Sequence, residues 1–308
     1  MSVTGTPYDD AFRTLLNDCP QLILPVLNDT FHEHYTGKEQ IVFLPNEHFL
    51  NRKDGEEQKR ITDSCFCVIG KSKKKYHAEC QATIDHSILV RIFEYDTQIA
   101  LDDGELEDNT LTVTFPHTAV LFLRHRETTP DTMTIRMMVP GGDVSYEVHV
   151  IKLQRYSLDE IFSKRLLFFL PFYIFSHESS FPTYERSKEA LGSLRREYKR
   201  IVQHMEELER TEKVNTFTKL ALYDMGIRVL ESIAKNYPSV KEGVKSIMGG
   251  KILEYEAKTI RNEGMAQGME KMKQLIQCLI DDGKSDEIPA VLANESRQEE
   301  MFLRYNIT

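Results

Sequence analysis

Two short segments carry residues whose types suit metal-assisted hydrolysis: RITDSCFCVIG contributes Asp63, and KYHAECQAT contributes Glu79 and Gln81. Breaking a phosphodiester requires neutralising phosphate charge and turning water into a nucleophile, and a Mg²⁺ ion held through one or two carboxylates and waters does both. Asp63 and Glu79 are oxygen ligands of that hardness. Gln81 stands two residues beyond the glutamate. Its carboxamide hydrogen-bonds a water or a phosphate oxygen, but it brings no positive charge and accepts no proton as an amine does. A lysine from the neighbouring GKSKKK turn is one substitute, although Lys73 and Lys74 at turn positions suit contact with substrate phosphates better.

These residues need a sheet to hold them. The two segments read as strands joined by the polar turn into an antiparallel hairpin. A turn centred between Ser72 and Lys73 sets Asp63 opposite Gln81 or Ala82. Alternation then gives Asp63, Cys65 and Cys67 one face of their strand, and His77, Glu79 and Gln81 one face of theirs. With Asp63 against Gln81 the two faces coincide. The thiols of Cys65, Cys67 and Cys80 with His77 are zinc-type ligands, but parity sends Cys80 to the face opposite His77, which disfavours such a site.

Before the hairpin, residues 8–28 read as a helix burying Phe12, Leu15, Leu16 and Cys19 and interrupted near Pro20, and IVFL at 41–44 reads as a strand. After it, DHSILVRIFEYDTQIAL places Ile88, Ile92, Tyr95 and Ile99 on one helical stripe. Strands follow at 111–115 and 118–123, and TMTIRMMV and VSYEVHVIKL form a pair around PGGD. From Ser157, whose spacing to Glu160 fits a capping box, the pattern is helical. Leu191, Leu194, Tyr198, Ile201, Met205 and Leu208 give the stretch 190–208 a heptad rhythm that suits either packing on its own chain or a homodimer. The last segment reads as a helix ending near Gly283 and two short helical pieces.

The 308 residues and 41% hydrophobic content suffice for a packed core, and no apolar run approaches the roughly 18 residues of a membrane helix. Five scattered cysteines and an N-terminus without the features of a secretory signal point to reduced thiols and a cytoplasmic location. The net charge of −9 excludes a surface coated with phosphate-binding groups and makes any nucleic-acid contact local. Phosphate-cradling glycine loops and local signatures of a nucleophilic triad are absent.

The ordered set YDDAFRTLL, ITDSCFCV, YHAECQ, ILVRIFEYD and LLFFLPFYIF resembles the PD-(D/E)XK nuclease family transposases and their recombination-promoting nuclease relatives, over about residues 7–178 and again in the tail at 262–307. The resemblance implies an α/β fold with a restriction-endonuclease-like αβββαβ core in a domain at 1–180. A helical region at 181–260 and a helical tail at 261–308 would follow. It implies Mg²⁺-dependent DNA cleavage, with Mn²⁺ able to substitute, linked to recombination or mobile elements. Asp63 and Glu79 match the family's acidic ligands, and Glu79 with Gln81 matches its glutamate-x-glutamine variant. Asp9, or Asp10 in its place, matches an outer acidic ligand, and Gln81 would orient the attacking water. Arg91 and Tyr95 match the following helix, where they would hold it against the site or contact phosphate. The rival expectation is a catalytically inactive descendant serving as a DNA-binding or scaffolding protein.

Overall fold

A computed structural model describes residues 6–44, 47–51, 57–61, 64–83, 85, 87–249, 268, 271–305 and 307, with backbone alone at 47–51, 57–61, 295 and 296. Asp63 lies outside the described residues. The chain divides into two compact units, 1–250 and 251–308.

The first unit opens with helix α1 (Pro7–Asp18), started by a capping box in which Thr6 and Asp9 bond each other's backbone N–H. Its apolar side buries Ala11, Phe12, Leu15 and Leu16. Pro20 interrupts the helical path with a short 3-10 turn, and α2 (Leu24–Phe31) resumes it. Among the described residues the strands in chain order are β1 (Gln40–Phe43), β2 (Glu47–Asn51), β3 (Glu57–Ile61), β4 (Ser64–Ile69), β5 (Lys73–Gln81), β6 (Glu105–Glu107), β7 (Thr110–Thr112), β8 (His117–Phe122), β9 (Thr132–Val139) and β10 (Gly142–Lys152). Helix α3 (Ile88–Asp102) links β5 to β8. The segment expected as one strand around Asp63 is therefore two, β3 and β4, and β3 pairs with β2 in a separate hairpin.

Six strands form one mixed sheet in the order β1-β4-β5-β8-β10-β9. The pairings β5–β8 and β8–β10 are parallel and the other three antiparallel. Parallel neighbours need a covering crossover, and α3 supplies it between β5 and β8, laying Ile88 and Ile92 over Val120, Phe122, Met133 and Val148. The opposite face, with Tyr76, Ala78, Ala119 and Leu121, meets Phe12, Phe31 and Phe168. The β4–β5 turn is centred on Lys71, not between Ser72 and Lys73, so Ser64 faces Ala78 and Cys65 faces His77. Parity survives this shift, and Cys65, Cys67, Lys75 and His77 share a face as the alternation requires.

After β10 the capping box at Ser157 and Glu160 starts α4 (Leu158–Ser163). Helix was expected to run on through LLFFL, but α4 ends at Ser163, and a 3-10 run from Leu167 to Ser180 carries the apolar residues around Pro171 into the core. Helices α5 (Phe181–Arg186), α6 (Lys188–Arg210), α7 (Thr216–Ile233) and α8 (Pro238–Met248) complete this unit. They belong with the sheet, because α7 packs on α1 and on the 3-10 run. The heptad stripe at 190–208 buries Leu194, Tyr198, Ile201 and Met205 in α6, which packs against α4, α5, α7 and α8 of the same chain. In the second unit, a helix at 271–281 (α9) ends at Gly283 (φ 69°). With α10 (Ile288–Leu292) and α11 (Glu295–Arg304) it encloses Leu275, Leu279, Val291 and Met301. Among the described residues no helix is long and apolar enough to cross a membrane.

The Ser157 hydroxyl satisfies an end N–H of α4 that has no partner within the helix. Ser157→Ala is expected to lower stability by about 1 kcal/mol, read as a shift in the urea midpoint, with Ser157→Asp restoring most of it.

Candidate functional site

β5 sends Lys75, His77 and Glu79 toward α3, and all three are buried, with Glu79 only 4% exposed. His77 lies at the centre. Its Nδ1–H donates to Asp96 Oδ1 at 2.7 Å and its Nε2–H to Glu79 Oε1 at 3.0 Å. Asp96, from the middle of α3, also accepts from the Thr118 hydroxyl (2.9 and 3.0 Å) and the Tyr146 hydroxyl (2.9 Å). The Tyr95 ring stands edge-on to the imidazole with centroids 6.0 Å apart. Five side chains from β5, α3, β8 and β10 thus form one hydrogen-bonded chain from Glu79 to Tyr146.

Charge explains the arrangement. Burial by itself would push the His77 imidazole down, but the two carboxylates that accept from its ring nitrogens override this and hold it up at about 10. An imidazolium donating from both nitrogens is the form that suits two carboxylate acceptors. Burial and the Asp96 carboxylate likewise push the Tyr146 phenol upward, which keeps it a donor. One turn away, Lys75 caps the end of α3, bonding the Ile99 carbonyl at 3.0 Å and Asp103 at 2.8 Å, as the negative end of a helix dipole favours.

The residues singled out in the sequence divide into several positions. Glu79 and Gln81 lie two apart on β5 and pair laterally with Val120 and Phe122 of β8. Tyr95 touches His77. Arg91 lies one turn earlier on α3, and its Nε and Nη2 are shielded from solvent with no hydrogen-bond partner. Asp9 is engaged in the α1 capping box, accepting from Thr6 N at 2.9 Å, while Asp10 is exposed. Lys73 is exposed at the turn, and Lys74 is paired with Glu33 on the other side of the sheet, beside the Tyr35–Tyr76 hydroxyl pair. Among the described residues no group of three or more His, Cys, Asp or Glu side chains could hold a metal ion. The cysteines are free, and burial pushes the Cys65 thiol up to about 12, out of thiolate range at neutral pH.

Asp96, Thr118 and Tyr146 were not legible as site residues. The available signal was a lone aspartate at position 96 on the apolar stripe of α3, four residues from Ile92 and three from Ile99. A carboxylate there requires buried donors.

No protein-family model, no curated protein and no solved structure matches this chain.

Proposed function

We propose that this protein is a Mg²⁺-dependent DNA endonuclease of the PD-(D/E)XK type, cytoplasmic and linked to recombination or mobile elements. The observation that carries this reading is topological. Helix α1 precedes β1, β4 and β5, in which β4 pairs antiparallel with both β1 and β5, and α3 then crosses to the parallel strand β8. With α2 and the β2–β3 hairpin set aside, this order is compatible with the αβββαβ core the sequence resemblance implies and supports the reading, with Glu79 and Gln81 two residues apart near the end of β5.

The donor chemistry fits a hard divalent cation. Glu79 would contribute a carboxylate, and Asp63 would complete the set. A bound Mg²⁺ supplies charge neutralisation at the phosphate and a more acidic water. The chain's own residues do the positioning. His77 fixes the Glu79 carboxylate through Oε1 and Asp96 fixes the ring of His77, while Gln81 would orient the attacking water by hydrogen bonding. A catalytically silent descendant that binds DNA or acts as a scaffold is the second reading. Burial of Glu79 against His77, together with an amide at position 81, favours it.

Nicking of supercoiled plasmid in Mg²⁺ or Mn²⁺ separates the two. Cleavage that falls by at least about 100-fold in both Asp63→Ala and Glu79→Ala is the expected result, in keeping with loss of a group that acts on the reacting atoms. Absence of cleavage by the unsubstituted protein across metals and substrates would transfer the conclusion to the silent descendant.

A further inference from the structure

On a chain of net charge −9, basic residues gather at one end of the sheet. Arg126 follows β8, Lys152 ends β10, Arg155 lies just beyond it, and Lys164 and Arg165 follow α4. Lys152 shares a rung with Gln81, because both align with Phe122 across two parallel pairings. Two strand spacings of about 4.8 Å separate their backbones, and their side chains leave the same face. One cleft opens beside Lys152 on that rung, and a second lies beyond Lys164. One, of about 250 Å³, is walled by Lys152, Arg155, Tyr156 and Lys164, and the other, of about 380 Å³, by Asn28, Tyr35, Lys164 and Arg165. Lys164 lines both.

Arg165 supplies the second observation. It occupies the left-handed region at φ 58°, one of four non-glycine residues to do so among those described. Leu166 N–H bonds the Ile161 carbonyl at 2.7 Å and Arg165 N–H the Phe162 carbonyl at 3.2 Å, the paired closure that usually places glycine where Arg165 stands. An L side chain is strained there. This one is exposed and makes no ion pair among the described residues. Strain that glycine would remove points to use of the side chain.

Three carboxylates share the clefts, and each already has partners. Asp29 accepts from Tyr156 and Lys164, Glu160 from Ser157, and Asp131 from Lys152 and Arg155. The Arg155–Asp131 pair is solvent-exposed, at 52% and 76%, so a phosphate can replace the carboxylate on Arg155 at little cost. Arg126 is exposed and makes no ion pair among the described residues.

We propose that Arg126, Arg155, Lys164 and Arg165 form a track for the phosphodiester backbone of a nucleic acid, leading to the rung of Gln81 and Lys152. The choice of nucleic acid rests on the nuclease reading. The test is metal-free. Binding of a fluorescein-labelled duplex oligonucleotide to the full chain is followed by anisotropy in EDTA between about 50 and 200 mM salt, the range over which phosphate contacts reveal themselves. Arg126→Ala/Arg155→Ala is expected to weaken binding at least tenfold and to reduce the slope of log K against log salt by about 2. Arg165→Gly is expected to raise the melting temperature while weakening binding severalfold, opposite signs that a purely structural arginine does not produce. The proposal is overturned if the unsubstituted chain fails to bind at the lowest salt, or if these variants bind as tightly and with the same slope. Binding with those variant effects but without cleavage in any metal removes the nuclease and leaves the track, whereas cleavage with unaltered variant binding removes the track alone.

Discussion

Asp96→Ala is expected to lower the unfolding free energy of the sheet-bearing unit by about 3–5 kcal/mol, the range measured when one member of a buried ion pair is removed. Asp96 is fully buried and accepts from His77, Thr118 and Tyr146. Alanine therefore strands three donors in a site from which water is excluded, and leaves the imidazole with one carboxylate in place of two. Asp96→Asn keeps the volume and one acceptor oxygen but turns an NH₂ toward a donor, so an intermediate loss follows. Urea unfolding followed by circular dichroism measures both. A loss below about 1 kcal/mol for Asp96→Ala would mean that the chain from Glu79 to Tyr146 relaxes easily and does not hold Glu79 in place.

The same physics argues that stability is not why the network is there. Replacing a buried ionic cluster by apolar side chains of similar volume is often neutral or stabilising. Around His77 and Asp96 the apolar surroundings already exist in Cys65, Tyr95 and Ile99. A core that could have been closed with leucine is instead spanned by a hydrogen-bonded chain ending on Glu79, the carboxylate of the proposed metal site. That is the expected pattern where the geometry of Glu79 matters more than the free energy of the fold.

Much of this was legible because short-range rules decide it. Period-2 alternation fixed which residues of β5 share a face, and a shift of the turn to Lys71 left parity intact, since the register moved by an even step from the pairing of Asp63 with Gln81. The α3 stripe of Ile88, Ile92, Tyr95 and Ile99 is buried as its spacing requires. PGGD joins β9 to β10, and Ser157 caps α4. What escaped the sequence depends on long-range partners. Nothing local marks Thr118 and Tyr146 as donors to an aspartate 22 and 50 residues away. The resemblance matched Asp9 to an outer ligand, and its position three residues after Thr6 makes it a capping carboxylate in the fold. The end of α4 was hidden because Arg165 occupies a place where glycine would have announced the stop. The heptad rhythm of α6 was real, but its buried side packs on helices of the same chain, a choice that period alone cannot make.

His77 also gives the protein a pH signature. Its folded-state pKa of about 10 lies above the ordinary value of 6.5, because Asp96 and Glu79 hold the imidazolium against the opposing effect of burial. A group with a raised folded pKa contributes stability that is complete below its unfolded pKa and is lost as pH rises through the folded one. The contribution should therefore be full below about pH 6.5, fall progressively above it and vanish beyond about pH 10. His77→Gln cannot be protonated, and it can engage Asp96 or Glu79 only as a neutral group. The variant should be less stable near neutrality, with the gap to the parent narrowing steadily between pH 7 and 10. Thermal melts of both proteins at matched ionic strength test this. A gap that stays constant across that range would show that His77 is neutral in the fold, and that Glu79 is held differently from the arrangement on which the nuclease reading depends.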